Sequence, residues 1–176
     1  MDRTFGRTTA TTDVLNRLLA DLDDEWRIED PESGTVIGEG VTTFHDAVQR
    51  NFAFRCLDRT LLLTIYQFAG SYLSIAVDLP AAMRTRMRPG WRLTACLDTD
   101  ATRPVTTFVR LNLNHRQTKR VLHEVVVIDQ GTRDVGFDLD AVEPGWTGAW
   151  LDIIFSHPRM SEICLRGVSL GFEEAA

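Results

Sequence analysis

One property limits what this chain can fold into more than any other. From Trp26 onward its apolar residues recur at every second position, segment after segment. In residues 72–79, Leu73, Ile75, Val77 and Leu79 share one parity, and Tyr72, Ser74, Ala76 and Asp78 hold the other. Residues 105–114 set Val105, Thr107, Val109, Leu111 and Leu113 against Thr106, Phe108, Arg110, Asn112 and Asn114. Leu151, Ile153 and Phe155 alternate with Trp150, Asp152 and Ile154, and Leu93, Ala95 and Leu97 with Arg92, Thr94, Cys96 and Asp98. A strand turns successive side chains to opposite faces, so each segment has one apolar face and one free one. Antiparallel sheets have that character, whereas parallel sheets between helices are apolar on both sides.

Further strands are expected at 26–29, 35–37, 52–57, 61–68, 121–128, 135–139 and 162–172. Turn chemistry separates them: 30–34 (Asp-Pro-Glu-Ser-Gly), Arg88-Pro89-Gly90, Asp98-Thr99-Asp100, Gln130-Gly131, Glu143-Pro144-Gly145 and His157-Pro158. About ten short strands at regular spacing read as an all-β, two-sheet antiparallel sandwich spanning residues 26–176. A single helical turn fits 80–87, opened by Pro80.

The chain before Trp26 reads differently. Residues 1–12 are Thr-rich with almost no apolar content, as in a flexible or partner-bound arm. Residues 13–25 then carry Val14, Leu15, Leu18, Leu19 and Leu22 at helical spacing, behind Thr12 or Asp13 as N-cap. Asp21, Asp23, Asp24 and Glu25 crowd the far end, where the helix dipole disfavours anions, so the helix should stop there. Its leucines need a surface to pack on, either an end of the main domain or a protein partner. No apolar segment follows Met1, so the expectation is cytoplasmic synthesis without a signal peptide. Residues 60–77 hold 18 positions without a charge, the length of a membrane span. Gly70-Ser71 in the middle and period-two alternation on either side make this run two strands and a turn. No membrane insertion is expected.

Composition narrows the function classes. Among 176 residues, 25 Asp and Glu outnumber 19 Lys and Arg, a net charge of −6. Binding nucleic acid through charge needs a dense positive face, so no nucleic-acid partner is expected. The three cysteines, Cys56, Cys96 and Cys164, are far apart and show no CxxC spacing. His45, His115, His123 and His157 fall in no metal-ligand spacing, and no nucleophile elbow, phosphate loop or dinucleotide fingerprint occurs. His45 reads as a hydrogen-bonded loop histidine. Neither catalysis nor a cofactor or metal is expected.

The free parity of the strands is the informative part. Tyr72, Asp78, Arg92, Phe108, Arg110, Asn112, Asn114, Trp150 and Asp152, with Ser74, combine aromatic rings with planar or forked polar groups. Rings accept the C–H face of a sugar, while Asn, Asp and Arg take hydroxyls in pairs. The competing accounts are a solvated sheet face, or rings covered by the N-terminal helix or a partner.

Two resemblances add to this. The run 79–95, with Met87-Arg88-Pro89-Gly90-Trp91-Arg92-Leu93, then 105–113, then Ile163-Cys164-Leu165-Arg166-Gly167-Val168-Ser169-Leu170, resembles jelly-roll carbohydrate-binding modules of the galactose-binding-like type over residues 52–172. The segments 72–80, 110–115 and 150–155 also resemble an uncharacterised alphaproteobacterial family without assigned function. The first likeness implies a jelly roll that binds polysaccharide. Such modules often hold a calcium ion near their first strands, and no Asp/Asn-dense loop stands there in this chain. The reading is therefore a non-catalytic binding module for polysaccharide, displayed through its arm on a larger assembly such as a released phage-like particle. The alternative is a structural or adaptor subunit that meets protein partners through the same face.

Overall fold

The computed structural model describes residues 12–13, 25–115, 118–140 and 146–174. Its strands are β1 (Thr12–Asp13), β2 (Trp26–Glu29), β3 (Thr35–Gly38), β4 (Val41–His45), β5 (Gln49–Leu57), β6 (Thr60–Ala69), β7 (Tyr72–Asp78), β8 (Trp91–His115), β9 (Thr118–Asp138), β10 (Gly148–Ser156) and β11 (Ser161–Glu174). One short helix, α1 (Ala81–Arg84), follows Pro80, and Met83 and Met87 carry this connection into the core. The expected arm over 1–12 and helix over 13–25, with Val14, Leu15, Leu18, Leu19 and Leu22, lie outside the described residues apart from Glu25 and β1. There the backbone of Thr12 and Asp13 pairs with Leu170 and Ser169.

All pairings are antiparallel, in the order β2-β5-β6-β11-β8-β10-β7-β4-β3, with β1 on β11 and β9 on β8. This ladder folds over on itself because β8 serves two layers. Its first part, Trp91 to Ala101, pairs with β11, and its last part, Thr107 to Asn114, pairs with β10. Strand β9 follows β8 along its whole length, through an irregularity between Asp100 and Val105. The extra residues of a bulge bend a strand sharply, which lets both strands leave one layer and enter the other. Gly131, with φ of 103°, stands opposite Thr99 at that corner, a conformation that glycine adopts without penalty. The result is a two-sheet antiparallel jelly-roll sandwich. One sheet holds β2, β5, β6, β11 and the first part of β8; the other holds the last part of β8, β10, β7, β4 and β3.

The structure departs from the expected turns at Asp98-Thr99-Asp100 and at Gln130-Gly131. Those polar and glycine residues mark the corner inside two continuous strands, β8 and β9. Strand β4 has no counterpart among the expected strands, because Val41 is the one aliphatic residue of its buried parity, beside Thr43 and His45. The uncharged run over 60–77 forms β6 and β7 around Gly70-Ser71. No helix among the described residues is long and apolar enough to cross a membrane.

The aliphatic parities of both sheets meet in one cluster. Leu61, Leu63, Ile65, Leu93, Leu97, Ile163 and Leu165 come from the first sheet, and Leu73, Ile75, Val77, Val109, Leu111, Leu151 and Ile153 from the second. Each fully buried aliphatic side chain is worth about 1.5–3 kcal/mol. A register slip by one residue would turn all of them outward, which is why this alternation fixes register as well as fold.

Candidate ligand-binding face

The outer surface of the second sheet collects most of the candidate residues, and pairing register explains how. Trp150 stands between Asn112 on β8 and Asp78 on β7; Asp152 stands between Arg110 and Ala76; Ile154 stands between Phe108 and Ser74; Ser156 is opposite Tyr72. Asn114 follows at the next rung, opposite Gly148. Eight of the nine expected residues thus share one face of three adjacent strands. Arg92 does not. It lies in the first part of β8, on the other sheet, where it binds Asp138 at 2.7 Å and lies across Gly136. Because β8 is one strand serving two sheets, equal parity along it does not mean a common surface.

These residues do not stand equally free. Asn112 and Asp152 are 2% and 7% exposed, against the expectation of open polar groups. The Asp152 carboxylate accepts from Asn112 Nδ2 at 2.9 Å and from Arg110 Nη2 at 3.3 Å. Trp150, whose one side-chain donor is the indole N–H, also bonds it. Burial pushes the Asp152 carboxyl above the ordinary carboxylate range, and the bonds from Asn112, Arg110 and Trp150 offset only part of that. Trp150 itself is half-buried, and Lys119, the only lysine of the chain, lies over its ring at 5.2 Å from the centroid. A cation over an aromatic face is held by the ring's quadrupole, so this platform is already occupied.

A depression of about 510 Å³ lies beside this group, lined by Tyr72, Phe108, Arg110, His123 and Ile154. Tyr72 and Phe108 are half-buried and His123 is exposed, so rings and imidazole remain reachable around the guanidinium. Arg110 is 44% exposed on its side chain and uses one N–H on Asp152, leaving the rest of its fork available. The sequence set Ile154 on the free parity of its strand, with Trp150 and Asp152, without counting it among the candidate residues, and did not place His123 here. The signal for His123 was the hairpin register: with His115 opposite Thr118, counting back sets His123 opposite Arg110.

Tyr72 is held from behind. The Asp46 carboxylate accepts from the amides of Ser71 at 2.8 Å and Tyr72 at 3.1 Å, and from the Ser71 hydroxyl. Burial pushes its pKa up, but those bonds outweigh the effect and leave the carboxyl below its ordinary value. Gly70 allows this approach. A Cβ there would come within 2.6 Å of Asp46 Oδ1 and 2.9 Å of the Ala47 Cα. Gly70→Ala is therefore expected to cost about 2 kcal/mol through overpacking, read as a lowered denaturation midpoint. His45, next to Asp46, is buried. Its Nε2 lies 3.0 Å from the Pro31 carbonyl and its Nδ1 accepts from the Ala47 amide, as a structural histidine does.

The fold and this face together define a β-sandwich whose one outer surface offers rings and polar groups around a shallow depression. The chain belongs to the family described as "Family of unknown function (DUF6478)", whose model matches residues 20–175. No curated protein matches it. Among solved structures, a CBM4 structure is similar at 11% identity and a TM-score of 0.49, covering 84% of this chain and 95% of its own. The CBM22-1 xylan-binding domain from Paenibacillus barcinonensis Xyn10C is similar at 11% identity and a TM-score of 0.43, over 86% of this chain and 95% of that one. A structure from work on carbohydrate-binding modules of the beta-sandwich super family aligns with 95% of this chain and 58% of its own, at 12% identity and a TM-score of 0.44. At these identities the likeness is one of fold.

Proposed function

We propose that this protein is a non-catalytic module that binds a polysaccharide on the outer face of β8, β10 and β7. The observation that carries the reading is the depression where Tyr72 and Phe108 flank Arg110 and His123. Rings beside forked and planar hydrogen-bonding groups suit a sugar, which offers C–H patches and hydroxyl pairs on one molecule. Asn112 and Asp152 act from beneath, as positioning residues for Arg110. Phe108→Ala is expected to weaken retention on the bound glycan about tenfold by affinity electrophoresis, with the denaturation midpoint nearly unchanged. Equal retention of wild type and variant would remove Phe108, and with it this depression, from the reading.

A second reading rests on Val121, Val125 and Val127, which are 41%, 58% and 50% exposed on the same face of β9. Exposed apolar residues at a sheet edge suit a protein partner, in an adaptor or structural role. Co-elution with a partner, lost on Val125→Asp and indifferent to glycan, would favour it.

A further inference from the structure

The charges around the depression indicate what kind of sugar it takes. Among the described residues, its lining holds Arg110 and His123 and no carboxylate. Asp152, which holds Arg110, lies beneath the guanidinium with a side chain 10% exposed, and its oxygens are engaged by Asn112, Arg110 and Trp150; the Asp46 carboxylate behind Tyr72 is engaged by the amides of Ser71 and Tyr72 and by the Ser71 hydroxyl. Lys119, opposite Asn114 on β9, adds a second cation over Trp150. The concentration of positive groups stands against the chain's overall charge of −6. A guanidinium fork matches the two oxygens of a carboxylate, with shorter and stronger bonds than it makes to hydroxyls.

We infer that the depression recognises a carboxylate-bearing sugar, a uronic acid within an acidic polysaccharide, with Arg110 as the residue that takes the carboxylate and Phe108 and Tyr72 flanking the ring. This rests on the reading of the face as glycan-binding and adds the ligand's charge to it. A neutral sugar would leave Arg110 paired with hydroxyls alone. A polyanion is repelled by the chain as a whole, so attraction to one reports a local site rather than general charge.

The test uses immobilised polygalacturonate, alginate and hyaluronate, each beside its own methyl ester, so that only the carboxylate charge differs. The full chain is expected to bind at least one acid form about tenfold more tightly than its ester, and added salt should narrow the gap. Arg110→Gln should reduce the ratio to about one. Arg27→Gln, the same charge change on exposed β2 of the other sheet, should leave it intact. Equal binding to acid and ester, or binding confined to neutral glycans on a mixed array, overturns this inference and leaves the polysaccharide reading standing. Binding to no glycan, acidic or neutral, overturns both. A preference for acid that survives in Arg110→Gln overturns the assignment of that residue.

Discussion

Phe52→Ala is expected to destabilise the protein by about 4 kcal/mol. Phe52 is 1% exposed and is the hub of an aromatic group spanning the two layers. Its ring meets Phe54 and Phe68 edge-on at 5.9 and 5.8 Å within the first sheet, and His45 of β4 at 5.4 Å from the second. Truncation loses the transfer energy of the ring and leaves a cavity that stiff sheet backbones on both sides cannot close. Aromatic pairs each add about 0.5–1.5 kcal/mol beyond buried area. Small domains have about 5–15 kcal/mol in all, so the variant should be near its unfolding threshold at 37 °C. Urea denaturation checks this, and the midpoint should fall while the slope stays constant. The effect should reach the candidate site as well. His45 precedes Asp46, and Asp46 holds the backbone of Tyr72, so a loosened His45 frees one wall of the depression. Phe52→Leu, which refills most of the volume, should restore both properties in large part.

What could be read from the sequence, and what could not, follows from which forces act locally. The faces of β7, β10 and the last part of β8 were legible because Leu73, Ile75, Val77, Val109, Leu111, Leu151 and Ile153 alternate without interruption, and burial leaves them one solution. Once those faces were right, Asp78, Trp150 and Asn112 had to fall in one row when the strands paired. The position of Arg92 was not legible. The bend that sends the two parts of β8 into different sheets is a property of how β8 and β9 cross, and its local marks, Asp98 to Asp100 and Gly131, are equally those of ordinary turns. The state of Trp150 was hidden for a related reason: Lys119 reaches it from β9, across the intervening β8. Strand β4 was missed because hydrogen bonds satisfy its inward residues. Thr43 Oγ1 donates to the Ser74 carbonyl at 3.1 Å, so a polar side chain sits in the interior without breaking the layer.

Asp152→Ala should cost about 3 kcal/mol and disable the candidate site in the same step. The wild-type carboxylate receives Asn112, Arg110 and Trp150. Removing it leaves the Asn112 amide, 2% exposed, without its best acceptor, and buried donors left unpaired each cost about 1–3 kcal/mol. Arg110 is half-exposed and turns to water instead, so it adds little to the loss of stability but gives up its fixed position. Asp152→Asn separates these roles. It retains an acceptor for Asn112 and removes the charge, and its stability relative to wild type should depend on pH in a defined direction. Because burial raises the folded-state pKa of Asp152, its contribution is fully present below the unfolded value of 3.8 and is lost as pH rises through the raised value. The asparagine variant does not titrate there. Its midpoint relative to wild type should therefore improve as pH climbs from 3.8 through the raised value. A difference that is flat with pH would mean the carboxylate is ionised at little cost, compensated fully by its three partners. Glycan retention should respond otherwise: weakened in Asp152→Asn where pH exceeds the raised value, because there wild type keeps an ionic anchor for Arg110 that the variant lacks, whatever the stability gained.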